Sequence, residues 1–168
     1  MSSRMNDMLA FIQISRVRML HHYLPKIKRC LELLSEEEIW RIETPLDHSI
    51  GGIVEHIRLH IERNITRLEN PGIRYETGIE NSFAQEWTKK EEVIYALEEI
   101  FKELDAKLIQ CRSEMYDVYH LVEHTGYHIG QIVDRTKRIK GKQFDFVMEG
   151  INEKRLKEKL KDEFESRN

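Results

Sequence analysis

The sequence predicts an all-α fold: a four-helix bundle with short extra helices and a peripheral C-terminal helix. Three observations predict it. Apolar residues recur at helical spacing along most of the 168 residues. Eight glycines and three prolines are too few for a sandwich or barrel with many tight turns. No convincing strand run appears anywhere in the chain.

The elements follow in order. A first helix is expected from about Asn6 to Leu34, with Met8, Phe11, Ile12, Val17, Leu20, Leu24, Ile27, Leu31 and Leu34 near helical spacing. Pro25 removes one backbone donor and should kink this helix or split it. Ser35-Glu36-Glu37-Glu38 is a capping-box pattern, which predicts a short helix holding Ile39 and Trp40. Pro45 ends that turn. A second helix should begin near Asp47 or Ser49 and stop at Asn70-Pro71-Gly72. Residues 71–88 form the one long irregular segment and carry Tyr75, Phe83 and Trp87. Loops of that length are often functional, and packing over a bundle end is equally ordinary.

Thr88-Lys89-Lys90-Glu91 reads as a second capping box. The third helix then runs to about Cys111, with Val93, Ile94, Leu97, Ile100, Phe101, Leu104 and Leu108 on one face. The fourth should start near Tyr116 or Asp117 and stop at Gly141, after Lys137, Arg138 and Lys140. A charged stretch from Phe144 to Arg167 carries Ile151, Leu156, Leu160 and Phe164, and predicts a fifth, peripheral helix. The length fits one domain over residues 1–168, with 143–168 as a helical extension.

Composition narrows the function classes. Lys and Arg total 27 and Asp and Glu total 30, a formal charge of −3. No basic field is available for a phosphate backbone, which argues against nucleic acid as the main partner. At 40% hydrophobic residues the chain can build a core. Arg4, Asp7, Arg16 and Arg18 interrupt the N-terminal region, so no signal peptide is expected. Charge-free stretches fall far short of the roughly 20 apolar residues of a bilayer span. The expectation is a soluble, cytoplasmic protein without a membrane partner. Cys30 and Cys111 form no CxxC pair, and reduced thiols are expected.

Histidine is the unusual residue, with eight in the chain. His56 and His60 lie on the second helix, with His48 at its start. His120, His124 and His128 lie on the fourth. HxxxH spacing puts two imidazoles one turn apart on one helix face, as a metal site on a helix requires. At about 100° per residue, His124 and His128 fall roughly 80° to 120° from a stripe centred on Val118, Val122, Ile129 and Val133. That places them on a shoulder between core and solvent, and His56 and His60 flank the stripe of the second helix likewise. Hydrogen-bonded packing is the alternative reading of any single HxxxH. Spacing does not identify the metal: imidazole-rich sites suit Zn, Ni, Cu or Fe. HExxH is absent, which excludes a zincin-like protease, and no Glu-x-x-His supports a di-iron bundle. No P-loop, GxGxxG or GxSxG occurs either.

Two segments carry a family resemblance. Ser49-Ile50-Gly51-Gly52-Ile53-Val54-Glu55-His56-Ile57 resembles the start of the second helix in DinB/YfiT-like proteins. His124-Thr125-Gly126-Tyr127-His128-Ile129-Gly130-Gln131-Ile132 resembles their HxxxHxGQI signature. The order of elements matches over roughly residues 5–142. The resemblance implies a bundle of the up-down-down-up type that holds a divalent metal, Zn or Ni, on His56, His124 and His128. It implies a small-molecule substrate, with thiol-dependent S-transferases, an isomerase and metal-dependent hydrolases among the relatives. A low-molecular-weight thiol as partner and a homodimeric state are implied in the same way. His60 is an addition to the pattern and a possible further ligand, although phase alone slightly favours His60 over His56 as the inward residue. Gln131 is a candidate to orient a ligand or contact substrate. Gly130 is expected to permit close helix approach, Glu55 and Glu123 to face solvent, and His21, His22 and His48 to be structural or surface. The rival class is a helical stress or interaction protein that binds metal weakly or not at all.

Overall fold

The computed structural model describes residues 3–75, 78, 83, 85, 89–110 and 115–165. Cys111, Trp87 and Thr88 lie outside them. The described chain is all-α, with no strand among the described residues. Seven α-helices occur among the described residues: α1 (Ser3–Arg18), α2 (Leu24–Leu33), α3 (Glu36–Trp40), α4 (Ile50–Glu69), α5 (Lys90–Gln110), α6 (Met115–Lys140) and α7 (Glu153–Glu165).

The expected kink at Pro25 takes a specific form. Met19–Tyr23 is a π-helical turn that joins α1 to α2 without a break. Leu24 N–H bonds back to Met19 O, five residues away. Proline cannot supply an N–H, and its ring crowds the carbonyl four residues earlier. Widening the preceding turn relieves that crowding while the helix continues.

Local signals set the other ends. Ser35 and Glu38 form the predicted capping box, with Glu38 N–H donating to Ser35 Oγ at 3.2 Å and Ser35 N–H to Glu38 Oε2 at 2.8 Å. Ser49 caps α4 by accepting from Gly52 N–H at 3.0 Å. Asn70 ends α4, as the Asn-Pro-Gly stop predicts. At α5 the register differs from expectation: Lys89 N–H reaches Glu92 Oε2 at 3.4 Å, so Glu92 rather than Glu91 turns back to the helix start. Gly141 follows α6 at φ +58°, and Lys142 N–H bonds Lys137 O at 3.3 Å, which closes the end of that helix.

One core forms between the long helices. Ile27, Leu31, Ile53, Ile57, Ile61, Leu97, Phe101, Leu104, Leu121 and Ile132 are among its buried members. α4 packs on both α5 and α6, and α1 and α2 pack on α5 and α6 from the other side. The α4–α6 contact is the one that matters for the histidines. α3 lies against α4, where Gly51 has no Cβ because the Trp40 ring fills that space. α7 rests on α1 through buried Leu156 and the pairs Arg16–Glu163 and Arg18–Glu153, at 3.1 and 2.5 Å. No helix among the described residues is long and apolar enough to cross a membrane.

Two expectations about faces are corrected. The buried face of α6 runs through Val118, Leu121, Thr125, His128, Ile129, Ile132 and Thr136, while Val122 and Val133 are only partly buried. The threonines shift the stripe: Thr136 Oγ1 donates to Ile132 O at 2.8 Å and so enters the core with its hydroxyl satisfied. Gly130 is exposed, and a Cβ there would meet nothing within 4 Å. Close approach occurs at Gly126 instead, where a Cβ would lie 2.7 Å from the Tyr23 hydroxyl oxygen.

Candidate metal centre

The facing shoulders of α4 and α6 bring four imidazoles together. His56 and His128 are buried, and His60 and His124 are half-buried. His124 Nε2 lies 3.2 Å from His56 Nε2 and 3.2 Å from His128 Nε2. His60 stacks on His124 with ring centroids 3.8 Å apart. One ligand atom from each of His56, His60 and His124 lies within 4.8 Å of the others, so these three residues are close enough to hold a metal ion.

Hydrogen bonding fixes part of this set. Gln131 Nε2–H donates to Tyr127 Oη at 3.2 Å, which turns Gln131 Oε1 toward His128 Nδ1 at 2.8 Å. The His128 proton then belongs on Nδ1, and its Nε2 lone pair points into the cluster. Gln131 therefore holds the His128 ring through Nδ1.

The two short contacts share one nitrogen, so a single proton must serve both. An imidazole nitrogen offers either one N–H or one lone pair in the ring plane. His124 Nε2 faces two other Nε2 atoms, and His128 Nε2 is already a lone pair. One His124 N–H, shared between the His56 and His128 lone pairs, is the assignment that serves both contacts, and sharing leaves each bond bent and weak. His60 Nε2 and His124 Nδ1 are in addition buried without a hydrogen-bond partner. A divalent cation would turn these lone pairs into ligands. Tetrahedral zinc with Zn–N near 2.0–2.1 Å separates its nitrogens by about 3.4 Å, close to the 3.2 Å spacings of His124. The residues present fit a metal.

Electrostatics agree with neutral, ligating imidazoles. Burial, followed by the neighbouring His60, His128 and His56, pushes the His124 pKa down to about 3. Burial and then His56 push His60 down to about 4. His128 is lowered by burial, with the Gln131 hydrogen bond opposing.

Phe83 completes one wall, a role that no periodicity in the 71–88 segment could reveal. Its ring stacks on His56 at 4.4 Å and on His48 at 3.5 Å between centroids. Gly52 makes this possible, because a Cβ there would lie 2.8 Å from Phe83 O. His48 is exposed and flanks the site on the far side of Phe83. His120 is exposed, stacked on Tyr116 with centroids 6.3 Å apart. Tyr127 is exposed with its ring 5.1 Å from that of His128.

Two acidic expectations separate here. Glu123 is exposed as expected. Glu55 is instead buried, at 2% exposure, and pairs with Arg58 at 2.5 Å. The pair lets a carboxylate enter the core beside His56, and the first turns of α4 are buried on all sides. His22, expected to be structural or surface, is buried in the π-helical turn, away from this cluster. Cys30 is free and buried, and burial raises its thiol pKa to about 12, so it is no candidate nucleophile.

Compared with known proteins, the chain matches no family model, no curated protein and no solved structure.

Proposed function

We propose that this chain is a metal-dependent enzyme of DinB-like, up-down-down-up build, with a divalent metal, Zn or Ni, on His56, His124 and His128. The observation that carries the reading is the pair of 3.2 Å Nε2 contacts at His124, in a cluster where His60 Nε2 and His124 Nδ1 are buried without a partner among the described residues. The resemblance of residues 49–57 and 124–132 to DinB/YfiT-like motifs supports it. The metal would supply Lewis acidity, which lowers the pKa of a thiol or water at the site.

The chain's own residues define the rest of the chemistry. Three neutral imidazoles leave the charge of a divalent ion uncancelled, and that favours an anionic thiolate there. Gln131 holds the His128 ring in its ligating tautomer. Phe83 covers His56 with an apolar ring and limits water at that wall. Thiol-dependent S-transfer to a small electrophile is the first reading. Hydrolysis by an activated water is the second, and an inert interaction protein is the reading to be excluded. A homodimer in the cytoplasm accords with the resemblance, and sedimentation of the purified chain reads the oligomeric state.

Elemental analysis after purification without chelator tests the centre. One equivalent of metal is expected, lost in His124→Ala and in His128→Ala; retention in both variants overturns the assignment. Metal-loaded protein is then assayed with a small electrophile, with and without a low-molecular-weight thiol. Product that forms equally without thiol rules out transfer.

A further inference from the structure

We infer that His60 supplies a fourth imidazole nitrogen, so that this chain builds a closed four-imidazole shell instead of an open three-histidine one. The inference rests on the metal reading above and concerns its coordination number.

His60 stands one turn after His56 on α4 and presents its ring to the same gap. Its Nε2 is buried without a hydrogen-bond partner. A buried imidazole nitrogen left unsatisfied weighs against the folded state. No backbone or side-chain group among the described residues relieves that cost, and a cation shared with His56 and His124 would. The distances permit it, since the three ligand atoms lie within 4.8 Å of one another. Adding His128, whose Nε2 lies 3.2 Å from His124 Nε2, gives four nitrogens for a tetrahedral ion.

The stack shows which ligand is least firmly seated. His60 and His124 are nearly parallel, with 25° between ring planes. An imidazole binds a metal in its own ring plane, and two stacked, nearly parallel rings bring no nearby point into both planes. One ring must turn. His128 is tied to Gln131 and His56 is clamped under Phe83, while His60 is half-buried with no hydrogen bond to break at Nε2. His60 is therefore the ring that swings in to ligate and out to leave a coordination position. An exogenous thiol then competes with His60, which makes this residue a determinant of which ligands enter.

Cobalt(II) is the probe. The wild-type chain and His60→Phe are loaded with Co(II), and hyperfine-shifted exchangeable imidazole N–H resonances are counted by proton NMR. Phenylalanine keeps a ring against His124 and removes the nitrogen. Four resonances are expected in the wild type and three in the variant, with Co(II) binding weakened at least about tenfold. Titration with 2-mercaptoethanol should develop a sulfur-to-cobalt charge-transfer band at lower thiol concentration in the variant. Three resonances in the wild type overturn the four-imidazole shell and leave the three-histidine centre standing. Failure of the wild type to bind one equivalent of Co(II) removes both. The wild-type count decides the matter even where His60→Phe does not fold.

Discussion

Single residues fix the geometry around the histidines, and glycine shows it most simply. Gly51 lies against the face of Trp40, where a methyl group would occupy ring volume. Gly51→Ala must push Trp40 or α3 away from α4. The expected loss is about 1–3 kcal/mol, the usual range for overpacking a filled core, read as a lower urea midpoint. The imidazoles make a second, pH-dependent prediction. His124 and His60 have folded-state pKa values of about 3 and about 4, against an ordinary 6.5. Above pH 6.5 both are neutral, folded or unfolded, and the shift has no effect. Below it the unfolded chain takes up protons that the folded cluster refuses, so stability falls as pH drops toward 3. Chelator-treated protein should lose urea midpoint between pH 7 and pH 4.5, and His60→Phe should lose less. A flat midpoint over that interval would contradict the burial of these rings as neutral groups. At this scale the sequence was only partly legible. HxxxH spacing located His124 and His128 because helix geometry turns spacing into proximity. Glu55 could not be placed in the same way. An i,i+3 partner such as Arg58 occurs equally on solvated faces, and only burial distinguishes the two.

At the scale of elements, apolar periodicity and punctuation made the helices readable. The α5 face came through except at its edge: Val93, Leu97, Ile100, Phe101, Leu104 and Leu108 are buried, and Ile94 is half-buried. The phase of α6 did not, because Thr125 and Thr136 count as polar in a sequence yet are fully buried. Thr136 donates to the carbonyl one turn back and so behaves as a small core residue, a bond invisible until the helix exists, while Thr125 Oγ1 is buried without a partner among the described residues. Phe83 was unreadable for a different reason. Its place depends on the chain path after α4, and on Gly52 leaving room for it. α7 yields the prediction at this scale. One buried side chain, Leu156, and two ion pairs at 3.1 and 2.5 Å attach it to α1. Partly exposed ion pairs contribute little by themselves, so the apolar contact should dominate. Leu156→Ala is expected to cost roughly 2–4 kcal/mol if α7 unfolds with the whole. Glu153→Gln, with an exposed carboxylate, should change stability by less than about 1 kcal/mol. Equal losses in the two variants would show that charge holds α7.

For the whole molecule, the histidine cluster spans α4 and α6, which α5 separates along the chain. A ligand shared by both helices binds the folded state alone, because the unfolded chain has no reason to hold residues 56 and 124 together. Linkage then sets the effect: about 2.7 kcal/mol of added stability at a free metal concentration 100 times the dissociation constant. Zinc or nickel should raise the thermal midpoint of chelator-treated protein, excess chelator should reverse the gain, and His124→Ala should abolish it. A midpoint that ignores both metals would speak against the centre.

The π-helical turn at Met19–Tyr23 has a consequence for how this helix could have changed over time. One extra residue in a turn advances every later side chain by about 100° around the axis. His22 and Ile27 are both buried although five residues separate them, a spacing that an undisturbed α-helix does not keep on one face. The turn therefore acts as a frame shift in the helical code. Deleting one residue within it would restore ordinary winding and rotate the buried faces of α1 and α2 out of register. Ile27, Cys30 and Leu31 could then no longer all face the core while Ile12 and Met19 do. A shortened first helix would need compensating substitutions along a whole face, so an insertion accommodated in this way is hard to undo.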